Sequence, residues 1–297
     1  MPKTAKINEP GAGCLYVVAT PIGNLEDITL RALRILKEAD VIACEDTRQT
    51  MKLLAHFDIQ KRLVSYHEHN EITRAAEIVI DLEQGAKVAL VSDAGTPVVS
   101  DPGHHLVALC LRHGIQVVPV PGASAFVAAL AASGMPIEEF AFIGFLPSRP
   151  TERRKALRAL ASELRTIVLY EAPHRLLDTL EDALEVLGNR TAVVAREVTK
   201  LYEEFLRGRI ETVLEDVRKK APRGEITLLI GPPDAEALHV DAVAGMAAAA
   251  AVPLARRVDE IAIERGVDKK AALKVAARER GLTRREAYKQ LLITRDE

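Results

Sequence analysis

Glu45, Asp46 and Arg48 follow directly on the apolar run Val41–Cys44, so two carboxylates and a guanidinium stand together at the end of a buried strand. Such carboxylates can orient a hydroxyl or take its proton, and an arginine can grip phosphate. Asp46 or Thr47 capping the next helix accounts for the same residues. A second polar group follows Thr166–Tyr170, where Glu171, Ala172, Pro173, His174 and Arg175 succeed one another. Arg196, Glu197 and Lys200 follow a third apolar run, and Glu225 stands at the mouth of a fourth. Each group reads equally as a solvated pair; their recurrence at strand ends points to one shared cleft.

The longest such segment is Ser92-Asp93-Ala94-Gly95-Thr96-Pro97-Val98-Val99-Ser100-Asp101-Pro102-Gly103, entered from the strand Val88–Val91. It exceeds a bare strand-to-helix turn, and ligands of open α/β folds sit at the carboxyl ends of strands. Asp101 and Pro102 read as N-cap and first turn of the next helix. Pro121-Gly122-Ala123-Ser124-Ala125 combines a tight turn with small residues that admit a ligand to the backbone or a helix to the sheet. Thr20-Pro21-Ile22-Gly23-Asn24 closes the first strand with a Pro/Gly/Asn turn. No G-x-G-x-x-G follows that strand, and no G-x-x-x-x-G-K-[ST] occurs, which disfavours dinucleotide and P-loop sites. His67 and His69 could be metal ligands, and with Asp93 and Asp101 would make a metal-dependent phosphoesterase; no third partner is evident, and no metal is expected.

Strand and helix patterns alternate around these loops. Leu15–Ala19, Val41–Cys44, Leu63–Tyr66, Val88–Val91 and Ile115–Val120 read as strands, each followed by a helix, which implies a mostly parallel sheet covered on both faces. Asp27 and Asn70 serve as caps in this reading. The pattern restarts at Phe140–Phe145 and runs through Thr166–Tyr170, Ala192–Arg196, Tyr202–Arg207 and Ile226–Ile230, with antiparallel edges. The expected fold class is therefore α/β: a flexible N-terminus 1–13, an N-terminal α/β lobe 14–122, a C-terminal α/β lobe 123–231, and a linker with a basic helical module 232–297. Thr283-Arg284-Arg285-Glu286 has the form of a capping box opening the last helix.

Composition narrows the setting. The net charge of -2 hides an asymmetry, since Pro253–Glu297 carries twelve Lys/Arg against eight Asp/Glu. That segment is the part suited to a polyanion, or a solvated helical face. The 3 cysteines, Cys14, Cys44 and Cys110, form no C-x-x-C pair and suit a reducing compartment. The polar N-terminus lacks a signal peptide's apolar core, and no 18-residue apolar run exists, so a cytoplasmic protein with no membrane segment is expected.

Taken in order, L-Y-V-V-A-T-P-I-G-N-L-E-D-I-T, A-C-E-D-T-R, S-D-A-G-T-P-x-x-S-D-P-G, P-G-A-S-A, G-F-L-P, Y-E-A-P-H-R, R-E-V-T-K and G-E-I-T-L-L resemble the ribosomal RNA small subunit methyltransferase I family of the tetrapyrrole-methylase superfamily. The resemblance spans about Leu15 to Ile230, with a looser match in the C-terminal segment. It implies two α/β lobes holding S-adenosylmethionine in the cleft between them, 2′-O-methylation of a cytidine in small-subunit (16S) ribosomal RNA or the assembled subunit, and a homodimer. By position the cofactor meets Pro21, Ser92, Asp93, Ala94, Gly95, Thr96, Val98, Ser124, Ala125, Ala172, Gly224, Glu225, Ile226 and Thr227. Ala123 stands where relatives often have proline, and Ala172, where serine is frequent, offers no hydroxyl. A sulfonium methyl is already activated, so alignment, a proton acceptor and excluded water suffice. Glu45 and Asp46, with Glu171 as alternative, are the expected hydroxyl-orienting or proton-accepting groups; Arg48, His174 and Arg175 are expected to hold flanking phosphates. The family motif alone carries neither assignment. Other members of the superfamily methylate tetrapyrroles or a protein acceptor; the basic tail, E-D-T-R and Y-E-A-P-H-R favour RNA.

Overall fold

The computed structural model describes residues 12–220, 222–234, 254–279 and 282–293. The first lobe alternates β1 (Cys14–Val18), α1 (Leu30–Glu38), β2 (Val41–Cys44), α2 (Thr47–His56), β3 (Arg62–Ser65), α3 (Glu71–Glu83), β4 (Lys87–Val91), α4 (His104–Arg112) and β5 (Gln116–Val120). Its strands form one parallel sheet in the order β3-β2-β4-β1-β5. Both faces are covered, which is why its strands are almost continuously apolar. Leu15, Val88 and Leu90 pack on Val79 and Leu106 from one side. Val18, Ile42 and Ala89 pack on Ile35, Leu36 and Leu54 from the other.

The second lobe comprises α5 (Ala125–Ser133), β6 (Phe140–Phe145), α6 (Pro150–Ala159), β7 (Thr166–Glu171), α7 (Leu176–Leu187), β8 (Thr191–Arg196), β9 (Glu204–Arg209), α8 (Ile210–Lys219) and β10 (Ile226–Ile230). Its sheet runs β6-β7-β10-β8-β9. Leu169, Val194 and Leu228 face α6, α7 and α8, while Val168, Val193 and Leu229 face Ala129 and Leu130 of α5. The helix that follows β5 thus covers the second sheet and not the first. Antiparallel pairing is also not confined to the edge, because β10 lies between β7 and β8 and runs against both.

Three local readings change. Thr29, not Asp27, caps α1, its Oγ1 accepting from Ala32 N at 3.0 Å. Asn70 spends its side chain within the preceding turn, Oδ1 accepting from His67 N at 2.9 Å, and leaves α3 without a side-chain cap. Asp101 and Pro102 lie before α4, which starts at His104 after Gly103 at φ 141°. The left-handed turn at Gly103 sends the chain into the helix, so Asp101 keeps its carboxylate for other contacts.

The lobes form one compact unit ending at Pro232, and a second unit follows. That second unit contains helices α9 (Leu254–Arg265), α10 (Lys269–Glu279) and α11 (Arg284–Ile293), packed around Leu254, Ile261, Leu273 and Ala276. The capping box forms: Thr283 N donates to Glu286 Oε2 at 2.8 Å and Glu286 N to Thr283 Oγ1 at 3.4 Å. The Ala-rich stretch Val240–Ala251 lies outside the described residues. Among the described residues no helix is long and apolar enough to cross a membrane.

Candidate active site in the interlobe cleft

A cavity of about 420 Å³ opens where the carboxyl ends of the first lobe's strands meet those of β6, β7 and β8. Because β10 runs the opposite way, its beginning reaches the same edge and contributes Ile226 and Thr227. The volume falls within the range of small-molecule sites.

The first-lobe wall is three loops stitched together. Thr20 and Gly95 exchange backbone hydrogen bonds at 2.8 and 3.1 Å, and Thr20 Oγ1 donates to Ser92 O at 3.2 Å. Thr96 Oγ1 donates to Ala123 O at 3.3 Å. Asp93, Ala94, Gly95, Thr96, Ser124 and Ala125 face the cavity, whereas Pro21, Ser92 and Val98 are not on its wall. Val98 and Ser100 hold φ values of 75° and 63°, a conformation that is unusual for any side-chain-bearing residue and strained for valine.

Gly144 and Ser100 bring the lobes into contact: a Cβ on Gly144 would stand 3.0 Å from Ser100 Oγ. The register of β6 slips at this point, between Phe142 and Gly144. Glycine with φ +73° is what this bulge and its close neighbour require.

On the second-lobe wall, Glu171 is 2% exposed. Its Oε1 accepts from Ala172 N at 2.8 Å and its Oε2 from Thr179 Oγ1 at 2.6 Å, while Arg175 Nε lies 3.4 Å away. Arg175 Nη2 in turn donates to the carbonyls of Leu146 and Pro147 at 2.8 and 3.0 Å. These two residues brace the start of α7 against the loop after β6. That fit corrects the expected role of Glu171, both of whose oxygens are taken by the protein's own donors, while Arg175 spends Nη2 on bracing and keeps Nε buried without a hydrogen bond. Lys200 Nζ bridges Glu197 Oε1 at 2.8 Å and Glu225 Oε2 at 3.1 Å. Burial works to raise the Glu197 carboxyl, but the Lys200 ammonium and the Glu225 amide together hold it below its usual range.

Glu45 and Asp46 lie beside the cavity and not on its wall. Asp46 caps α2, accepting from Arg48 N at 2.8 Å, and its carboxylate also takes Arg48 Nε and Nη2. These bonds hold its carboxyl down at about 2, which makes it a poor proton acceptor. Asp46 N donates to Asp93 Oδ1 at 3.0 Å, tying the two loops. Burial and then the Asp93 charge raise Glu45. Burial, followed by the Glu45 charge, pushes Asp101 up to about 6 against the lowering effect of the Ser92 hydroxyl, and Asp93 adds to the rise. Arg48 keeps an 84% exposed side chain, and His174 is exposed on the turn before α7.

Ile22, Val99, Ser100, Phe145, Tyr170, Pro173, Ala195 and Val198 line the cavity without having been singled out from the sequence, as does Asp101, which the sequence offered only as a helix cap or a metal ligand. Phe145 and Tyr170 sit in strands and look like core. Their signal was position: each is the last or next-to-last residue before a polar loop.

The tetrapyrrole (corrin/porphyrin) methylase family profile matches residues 14–214. Ribosomal RNA small subunit methyltransferase I of Halalkalibacterium halodurans is 49% identical over 93% of both chains. The chain belongs to the ribosomal RNA small subunit methyltransferase I family, among the tetrapyrrole methylases. The family member from Thermotoga maritima is 52% identical, and 98% of its length is matched by 73% of this chain. Uroporphyrin-III C-methyltransferase from Thermus thermophilus, solved with S-adenyl homocysteine, shares the fold at 24% identity over 74% of this chain and 97% of its own, with a TM-score of 0.52. The His67/His69 reading finds no support in the arrangement: among the described residues no three His, Cys, Asp or Glu side chains converge to hold a metal ion.

Proposed function

We propose that this protein transfers a methyl group from S-adenosylmethionine to the 2′-oxygen of a cytidine ribose in small-subunit ribosomal RNA, acting as a cytoplasmic homodimer. The observation that carries this reading is the 49% identity, across nearly the whole of both chains, to a protein named for that RNA.

The cavity suits such a cofactor. Its walls are small where a flat, polar ligand must approach backbone, at Ala94, Gly95, Ala125, Ala172 and Gly224. Gly224 holds φ +87°, and a Cβ there would lie 2.2 Å from Glu197 Oε1. The Asp93 carboxylate complements a cationic ligand. Backbone groups of Ala94–Thr96, Ser124–Ala125 and Ile226–Thr227 would hold it. Ser124 makes no side-chain cap on α5, leaving the first turn open toward the cavity. When bound, S-adenosylmethionine supplies a methyl group on a sulfonium that departs as a neutral thioether. The residues then have to orient the hydroxyl, receive its proton and keep water out.

Arg48 and His174 remain the residues proposed to meet the flanking phosphates, joined by the basic segment Pro253–Glu297. The homodimer reading is supported by apolar side chains left exposed at the edge strand β6, Phe140 at 41% and Ile143 at 40%.

The deciding experiment offers the full chain radiolabelled S-adenosylmethionine with small ribosomal subunits, then digests the RNA to nucleosides. Label in 2′-O-methylcytidine is the expected result; label elsewhere, or none, overturns the reading. Removing residues 233–297 is expected to leave cofactor binding by calorimetry intact and to weaken RNA binding. Unchanged RNA affinity would remove the segment from the interface.

A further inference from the structure

Residues 197–203 separate Arg196 from its register partner Glu204, a longer link than the roughly two to five residues usual in a hairpin. The extra length is tightly built. Glu197 and Thr199 hold φ values of 51° and 71°, a region that side-chain-bearing residues seldom enter. Lys200 N donates to Glu197 O at 2.9 Å, Glu203 N to Lys200 O at 3.1 Å, and Thr199 N to Glu203 Oε2 at 2.7 Å. The base of the turn is tied to the residue before β10, since Glu197 N donates to Glu225 O at 2.9 Å and Glu225 N to Glu197 Oε1 at 2.9 Å. Arg196 Nε donates to Glu204 Oε2 at 3.0 Å and pins it from the other side.

This turn also joins the lobes. Val198 lines the cavity, and Lys200 reaches from beside it to the first lobe. The Lys200 ammonium is held between Glu197 and Glu225, while its methylene stem lies on Gly23 in the loop after β1. The stem is so close that a Cβ on Gly23 would collide with Cγ, Cδ and Cε of the lysine. A glycine at φ +148° is what leaves room for it.

Beyond Lys200 the side chains turn outward. Leu201 is 88% exposed and Tyr202 is 71% exposed, and among the described residues the Tyr202 ring stacks on no other ring and its hydroxyl makes no hydrogen bond. A slack loop hides such groups by collapsing on them; this one cannot, because its backbone is fixed by the bonds above. A lone exposed leucine is ordinary. A leucine and a tyrosine held out side by side at the rim of a cavity form a contact surface. Tyrosine offers a flat π-face with a polar tip that stays wet, which suits an unstacked nucleobase. Arg223 stands at the base of the same turn, its carbonyl accepting from Arg196 Nη1 at 3.2 Å, and its own side chain is exposed to meet a phosphate.

We infer that the β8–β9 turn is the second-lobe rim of the acceptor site, where the Tyr202 ring stacks on an unpaired nucleobase of the RNA substrate and Leu201 packs beside it. This rests on the function proposed above, and it adds a nucleobase contact to the phosphate contacts of Arg48 and His174. Lys200 is a positioning residue: it touches no RNA, and by clamping the turn onto Gly23 it sets where the ring stands relative to the first lobe. Single-stranded RNA is recognised through such splayed-out bases, and the ring accepts any base because every base has a π-face.

The test measures binding and methylation of small ribosomal subunits by the full chain, with S-adenosylmethionine affinity by calorimetry and oligomeric state by sedimentation velocity. Tyr202→Ala is expected to weaken subunit binding roughly tenfold or more, with no change in its salt slope because stacking releases no counterions. KM for subunits should rise by a similar factor while kcat and cofactor affinity stay within about threefold. Tyr202→Phe and Tyr202→Trp should bind like wild type, since the ring and not the hydroxyl makes the contact. Arg223→Ala should lower the salt slope by about one. Lys200→Ala should weaken subunit binding as well, and the double variant with Tyr202→Ala should lose little more, the non-additivity expected of a residue that acts through the ring. Subunit binding by Tyr202→Ala within about twofold of wild type overturns the inference, as does a Tyr202→Phe loss equal to that of Tyr202→Ala. A Tyr202→Ala variant that changes oligomeric state also overturns it, giving the surface to a second copy of the chain. Wild-type protein that binds subunits and methylates no cytidine overturns the proposed function instead, so the two failures are distinct.

Discussion

The two walls of the cleft handle negative charge in opposite ways. On the second lobe, Glu171, Glu197 and Glu225 each have a cation or a set of amides arranged around them. On the first lobe, Glu45, Asp93 and Asp101 stand near one another, and burial and mutual repulsion raise the first and last of them. Neutralised carboxylates hold geometry; carboxylates raised toward neutrality can move protons. Variants of the second wall should therefore cost mainly stability, and variants of the first should largely spare the fold.

Glu171→Ala should have the largest effect on stability. It removes a buried acceptor from two donors and leaves Arg175 beside an apolar gap, so unfolding in urea should shift by about 3 kcal/mol. A shift below 1 kcal/mol would move Glu171 out of the frame. Gly224→Ala comes next. Its Cβ has no room beside Glu197, and the left-handed backbone adds strain, so stability should fall by about 2 kcal/mol and cofactor affinity at least tenfold. Unaltered calorimetry would show that the β10 edge is not a cofactor wall.

The third variant should do the reverse. The Asp101 carboxyl is displaced upward from 3.8 to about 6, so the folded state holds its proton more tightly than the unfolded chain does. Stability from this group is present below 3.8 and is lost as pH rises through about 6. Asp101→Asn should thus gain about 1 kcal/mol at pH 8, after allowance for partial exposure, and less at pH 5. Equal melting temperatures at both pH values would show that burial of this charge is not costly. Arg48→Ala should have the smallest effect, within about 0.5 kcal/mol on stability. It should reduce the salt slope of RNA binding by about one. An unchanged slope would place Arg48 off the RNA path.

Much of this division was legible in residue order. Apolar runs broken by Pro, Gly and Asp mark the strand ends, and most strands fall where those runs lie because a sheet buried on both faces leaves an unbroken apolar signature. Ala94, Gly95, Ser124 and Thr227 stand on the cavity wall for the same reason. Long-range order was not legible. Nothing in the periodicity of Ile226–Ile230 says that it inserts between β7 and β8, and nothing in Ala125–Ser133 says which sheet it covers. Asp101 was misread because an Asp-Pro pair before a helix has the form of a cap; the turn at Gly103 redirects it. Glu171 looked reactive because a burial that satisfies both oxygens of its carboxylate cannot be seen along the chain.

The place of β10 has a consequence for synthesis. The first sheet has all its strands once Val120 has been made, so its lobe can close while the rest of the chain is still being translated. The second cannot, because its middle strand is its last, Ile226–Ile230. Until that strand emerges, β7 and β8 present unpaired edges with apolar faces, a template for aggregation. The nascent chain is most exposed over this interval, and slow translation or a chaperone there should matter more to its yield than anywhere earlier.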